Sequence, residues 1–176
     1  HVNRFQPAVA DALRPLGDRA TVWFGFESGS DAMLARLQKA HTAARALAVG
    51  RSALASGAKV GANLLLGVPG ETSEDRAATR AFVAELVASG GPGQVLPNPN
   101  IFNPLPGTPL YAACLADGSI AGDDYRVWRD TDIEAAGRGP VAGVDYGAVI
   151  DDYRSYLDLA AHESGHHQPW ANNPEA

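Results

Sequence analysis

The sequence predicts an α/β fold in which parallel strands alternate with helices, and three observations carry that expectation. Short apolar runs rich in β-branched and aromatic residues alternate with stretches of helical apolar periodicity. The run "NLLLGV" at 63–68 lacks the two-residue alternation of a half-exposed strand, which suits a strand covered on both faces of a parallel sheet. Each strand candidate ends in a turn rich in glycine, serine or proline: "ESGS" at 27–30, "GVPGE" at 67–71 and "NPLPG" at 103–107. Successive β–α–β units imply right-handed crossovers. Three strands are few for a closed barrel, so the sheet is either open or part of a barrel whose other strands lie upstream.

In chain order, "PAVADALRPL" at 7–16 places Val9, Ala12, Leu13 and Leu16 on one face of a short helix, with Pro15 fraying its end. "ATVWFGF" at 20–26 reads as the first strand, weakened at its end by Gly25. Ser30-Asp31 starts a helix over "AMLARLQ", and Thr42 caps another whose shared face holds Ala46, Leu47, Gly50, Ala53 and Leu54. Gly57 stops that helix. "AKVGANLLLGV" at 58–68 is the second strand. Acidic residues then open a helix with Ala78, Phe82, Val83, Leu86 and Val87 as its stripe, closed by Gly90-Gly91. "QVLPNPNIFN" at 94–103 is a third strand interrupted by prolines, followed by a tight turn and a short helix. Near the C-terminus, Val149, Ile150, Tyr153, Tyr156, Leu157 and Ala160 mark one more helix, and 162–176 reads as a loose terminus.

Composition narrows the function classes. The chain has 176 residues, a formal net charge of -6 and 45% apolar residues; its mean hydropathy is -0.14. That suits a globular domain with a sizeable core. No Lys/Arg run supports a nucleic-acid surface, and no apolar stretch approaches the roughly 20 residues of a membrane helix. A single cysteine, Cys114, rules out an internal disulfide and a multi-cysteine metal site. These features favour the cytoplasm. The chain opens on "HVNRF" without an initiating Met, as a piece of a longer protein would.

In parallel α/β proteins ligands gather at the carboxyl ends of the strands. Glu27 and Ser28, then Gly67, Val68 and Gly70, then Asn103 and Pro104 occupy three successive ends, so they should line one rim. Turn and cap chemistry alone explains much of "GVPGET", and the Lys-Ser/Thr of a phosphate loop is missing. A carboxylate ending a buried strand, as at Glu27, needs donors that a hydroxyl- or amine-rich ligand would provide. His162 and His166 have the i,i+4 spacing of a metal pair, but Gly165 and a polar tail argue against an ordered helix there. Asp123-Asp124, Asp130, Asp132 and Asp151-Asp152 read as solvated faces or caps.

Together, "GFESGSDAMLARLQKAHT", "VGANLLLGVPGETSED" and "IFNPLPGTPLY" resemble the second half of a radical S-adenosylmethionine (SAM) enzyme core. The resemblance is greatest to the group associated with a cobalamin-binding domain. It covers roughly residues 8–118, and three linked motifs are more specific than any one of them. It implies part of a (β/α)₆ partial TIM-type barrel over 1–118, a family-specific extension with one helix over 119–161, and a tail over 162–176. In that family SAM is held beside a [4Fe–4S] cluster and yields a 5′-deoxyadenosyl radical, some members using cobalamin too.

Residue by residue, the resemblance makes Glu27 the contact to the ribose hydroxyls or amino group of SAM, with Ser28 and Ser30 as supporting donors. Lys39 falls where a cation pairs with the SAM carboxylate. Leu65 and Gly67 match the strand beneath the adenine, although Asn63 stands in the first glycine position of that motif. Asn103, Pro104 and Leu105 approach the adenine edge. The C-x₃-C-x₂-C loop that ligates the cluster is absent, and Cys114 cannot replace it. The expected parent is therefore a radical SAM enzyme whose N-terminal half barrel lies outside this chain, which alone should be inactive; its substrate is not readable. A small non-redox α/β module binding a nucleotide or anion on the same rim is the alternative.

Overall fold

A computed structural model describes residues 1–120 and 139–164. Three parallel strands form one sheet in the order β1-β2-β3: β1 is Thr21–Glu27, β2 Lys59–Leu66 and β3 Val95–Ile101. The helices are α1 (Pro7–Leu13), α2 (Asp31–Arg36), α3 (Ala43–Ala55), α4 (Ser73–Ala88), α5 (Pro109–Ala116) and α6 (Tyr146–Ser164). The alternating α/β organisation with a parallel sheet is as expected. Pro15 does its expected work, since α1 stops at Leu13.

One face of the sheet carries the core. Phe24 and Phe26 of β1 and Val60, Ala62, Leu64 and Leu66 of β2 pack with Ala46, Val49 and Ala53 of α3, Phe82, Val83 and Leu86 of α4, and Val149 and Tyr156 of α6. An aromatic series runs through it: Phe5 meets Phe24 edge-on at 5.4 Å, Phe24 stacks on Phe26 at 5.1 Å, and Phe26 meets Phe82 at 5.3 Å. Gly50 lets α3 approach α4, because a Cβ there would lie 2.5 Å from Leu86 Cδ1. A second apolar cluster, with Met33, Val68, Phe102, Tyr111 and Cys114, joins α2 and α5 across the strand ends. Cys114 is buried there.

The other face is open, which corrects the expectation that β2 is covered on both sides. Leu64 and Leu66 are buried, whereas Asn63 and Leu65 are only half-buried. Alternation was masked because Leu65 is as apolar as its neighbours. Around it lie Trp23, half-exposed at 51%, and the exposed amides of Asn98 and Asn100. The Trp23 ring lies against Gly61, where an added Cβ would come within 2.2 Å of it. Asn98 Nδ2 donates to Asn63 Oδ1 at 2.8 Å across β2 and β3.

The prolines of β3 dictate its place. Gln94 O accepts from Val60 N and Phe102 N donates to Leu66 O, both at 2.7 Å, so the even-numbered residues bond to β2. Pro97 and Pro99 then face the outer edge, where a missing N–H costs no ladder bond. α6 packs beside this strand and is tied to α4 by charge. Asp152 Oδ1 accepts from Arg80 Nη1 at 2.6 Å, and Oδ2 lies 3.4 Å from Arg76 Nε.

Candidate functional site at the strand ends

Each strand leads into a short loop and a capped helix. Ser30 caps α2, Thr72 caps α4 in a capping box with Asp75, and Thr108 caps α5 with Pro109 in its first turn. The last two loops use one device. In Val68-Pro69-Gly70-Glu71, Glu71 N donates to Val68 O at 2.9 Å; in Leu105-Pro106-Gly107-Thr108, Thr108 N donates to Leu105 O at 3.2 Å. Proline at the second position and a positive-φ glycine at the third (φ 79° and 84°) identify type II turns.

The first loop is different. Register slips between Gly25 and Glu27, so β1 ends in a bulge. Ser28 N donates to Phe26 O at 2.9 Å around Glu27, whose φ is 67°. Such a three-residue turn is rare and strained in a non-glycine residue, and strain of this kind gathers at functional sites. It sends the Glu27 carboxylate back over Gly25: a Cβ at Gly25 would lie 2.6 Å from Glu27 Oε1. That oxygen accepts from Lys39 Nζ at 2.9 Å, and the side chain is 18% exposed. Oε2 has no hydrogen-bond partner among the described residues.

Lys39 is set by the end of α2. Gln38 N donates to Ala35 O and Lys39 N to Leu34 O, with Gln38 at φ 54°, which is a Schellman motif built without glycine. Among the described residues, Glu27 and Gln38 are the two non-glycine positions with positive φ, and they flank the ion pair. Neither was legible in the sequence, because neither residue type signals the left-handed region.

Ser28 and Ser30 are buried and engaged inside the protein. Ser28 Oγ shares a 2.9 Å hydrogen bond with Thr79 Oγ1, which also accepts from Gly29 N at 3.1 Å. Ser30 Oγ donates to Asp75, whose other oxygen accepts from Thr72 N at 3.0 Å and Thr72 Oγ1 at 2.9 Å. Burial opposes ionisation of Asp75, but the bonds from Ser30 and Thr72 hold its carboxyl below the ordinary range. The serines therefore strap the first loop to α4. Leu65 lies on the open face, half-buried; Asn103 and Leu105 are exposed and Pro104 buried in the loop after β3. The sheet's parallel register thus brings Glu27, Gly67 and 103–105 to one edge, with Lys39 joined to Glu27.

Glu71 fixes the middle loop: its Oε2 accepts from Gly67 N at 2.8 Å, while Oε1 is buried without a partner among the described residues. Burial pushes its carboxyl above the ordinary glutamate range, against the Gly67 hydrogen bond and the Arg76 charge. A raised folded-state value means that Glu71 contributes stability below the ordinary glutamate pKa, and that this is lost as pH rises through the folded value. Glu71→Gln keeps an acceptor for Gly67 and removes the charge. It should stabilise the protein by about 1 kcal/mol near neutral pH, raising Tm by roughly 2–4 °C. The gain should shrink as pH falls toward about 4. Thermal melts of both proteins across that range check it.

No metal-binding group of three or more His, Cys, Asp or Glu side chains occurs among the described residues, and no helix among them is long and apolar enough to cross a membrane. His166 and His167 lie outside the described residues, as do Asp123, Asp124, Asp130 and Asp132. No protein-family model matches the chain, and no curated protein matches it significantly.

Proposed function

We propose that the chain is the C-terminal part of a radical SAM enzyme core, a portion of a (β/α)₆ partial barrel that contributes one rim of the SAM site. The observation that carries this reading is the placement of Glu27. A strained turn at the carboxyl end of a parallel strand holds its carboxylate over Gly25, on the uncovered face of the sheet, with one oxygen open to a donor. The space over Gly25 is taken by Glu27 Oε1, which Lys39 holds, and the second oxygen, Oε2, is the free acceptor that suits vicinal hydroxyls or an ammonium group. Lys39 is paired with Glu27, so it orients that carboxylate and lies near enough to meet a ligand's own carboxylate only by loosening the pair.

SAM bound beside a reduced [4Fe–4S] cluster supplies a hydrogen-abstracting radical in this enzyme class, and the residues of this chain do not fit the cluster. The chain's single cysteine is buried in an apolar cluster between α2 and α5. What the chain's own residues do is bind and orient: Glu27 accepts from the ligand, Lys39 fixes Glu27, and the loop turns keep the three strand ends in register.

Calorimetric titration tests the reading. SAM should bind, and Glu27→Ala should weaken it roughly tenfold or more, the value of a lost charge-assisted hydrogen bond. Inorganic phosphate should bind weakly and be indifferent to that substitution. The reverse pattern would favour a non-redox anion-binding module. The chain should also cleave no SAM after iron–sulfur reconstitution. A C-x₃-C-x₂-C segment encoded within roughly one hundred residues upstream, about the span of the missing β/α units, would settle the class.

A further inference from the structure

A separate cavity lies between the C-terminal end of α2 and the first turn of α5. It encloses about 340 Å³ and is lined by Arg36, Leu37, Gln38, Thr108, Pro109, Leu110 and Ala113. That volume is in the range that holds small organic ligands. Its lining is mixed, with Leu37, Pro109, Leu110 and Ala113 apolar and Arg36 cationic.

The cationic part is available. The Arg36 guanidinium has no hydrogen bond or ion pair among the described residues. It lies along the middle loop at Gly70, where an added Cβ would be in ordinary contact with it, 3.4 Å from both Cζ and Nη1. Asp117 feels its charge, but the Ser119 N–H, at 2.9 Å, and the Ser119 hydroxyl both bond to its Oδ1, and no hydrogen bond or ion pair joins it to Arg36. In a chain of net charge -6, an unpaired cation lining a cavity points to an anion. The first turn of α5 adds a donor. Thr108 Oγ1 accepts from Tyr111 N at 3.2 Å and Pro109 has no N–H, which leaves Leu110 N without an acceptor among the described residues.

We propose that this cavity binds an amphipathic anion, a carboxylate or phosphate monoester on a short apolar chain, with the anionic group on Arg36 and the chain against Leu37, Leu110 and Ala113. The site is distinct from the Glu27–Lys39 pair, neither member of which lines it, and it does not rest on the SAM reading.

Hexanoate, hexyl phosphate and the neutral hexanol serve as probes, followed by amide chemical shifts of the purified protein. Both anions should bind and move Leu37, Leu110 and Ala113, the two anions reporting which headgroup is preferred. Hexanol should bind at least about tenfold more weakly, and Arg36→Gln should weaken both anions about tenfold while leaving hexanol unchanged. Arg36 is exposed, so the variant should fold, and Arg36→Lys should recover part of the affinity. SAM binding to Arg36→Gln should be unaltered, which separates this site from the rim. The proposal is overturned if neither anion binds at up to about 10 mM, if hexanol binds as well as they do, or if Arg36→Gln binds hexyl phosphate like the parent.

Discussion

Asp152→Ala should destabilise the protein by roughly 3 kcal/mol, the cost of leaving a buried charge without its partner. At 2–4 °C per kcal/mol for a chain of this size, Tm should fall by about 6–12 °C. Asp152 is 7% exposed and the Arg76 side chain 12%, so water cannot replace the lost carboxylate at Arg76. Arg80 is different: with its side chain 48% exposed, it reaches solvent once released, and Arg80→Ala should cost under about 1 kcal/mol. Because the penalty is an orphaned charge, Arg76→Met in the Asp152→Ala background should recover much of it. Urea denaturation of the four proteins checks the pattern. A loss below about 1 kcal/mol for Asp152→Ala would mean that apolar packing alone seats α6.

Gly29→Ala should cost roughly 2–4 kcal/mol through overpacking and lost buried hydrogen bonds. A Cβ at Gly29 would lie 2.5 Å from Ala78 O and 2.6 Å from Phe82 Cβ. The first of these is helix backbone in α4 and cannot yield, so the loop would have to lift. Lifting it breaks the bond from Gly29 N to Thr79 Oγ1 and strains the Ser28–Thr79 and Ser30–Asp75 contacts. That loop begins at Glu27, so ligand binding at the rim should weaken together with stability. Equilibrium unfolding and a SAM titration of the same variant measure both; stability within about 1 kcal/mol of the parent would show that the loop has room to move.

What was legible in the sequence was the order of elements. Ser30 and Thr42 start helices where their caps announce them, the acidic first turn of α4 marks its start, and the stripes on α3 and α4 face the core as their periodicity requires. These are local signals, read within a turn or two of chain. The open face of β2 was hidden because Leu65 looks like its buried neighbours, although Gly61 and Asn63 on the same side were the available clue. The strained turn at Glu27 left no sign, since "GFE" continues the strand pattern. The engagement of Ser28 and Ser30 with α4 was invisible for another reason: their partners are 51 and 45 residues away. The Glu27–Lys39 pair, 12 residues apart, depends on Gln38 adopting a conformation that glutamine rarely takes.

The two edges of the sheet are chemically unequal. β3 turns the ring nitrogens of Pro97 and Pro99 outward, so along its outer side only Val95 and Ile101 keep an N–H for a further strand, and α6 packs beside it. β1 presents Thr21–Glu27 with no proline and, among the described residues, no strand on its outer side. Extension of this sheet is therefore favoured on the other side, beside the strand that carries Glu27. A carboxylate now on a boundary strand would then stand in the interior of a wider sheet, flanked on both sides.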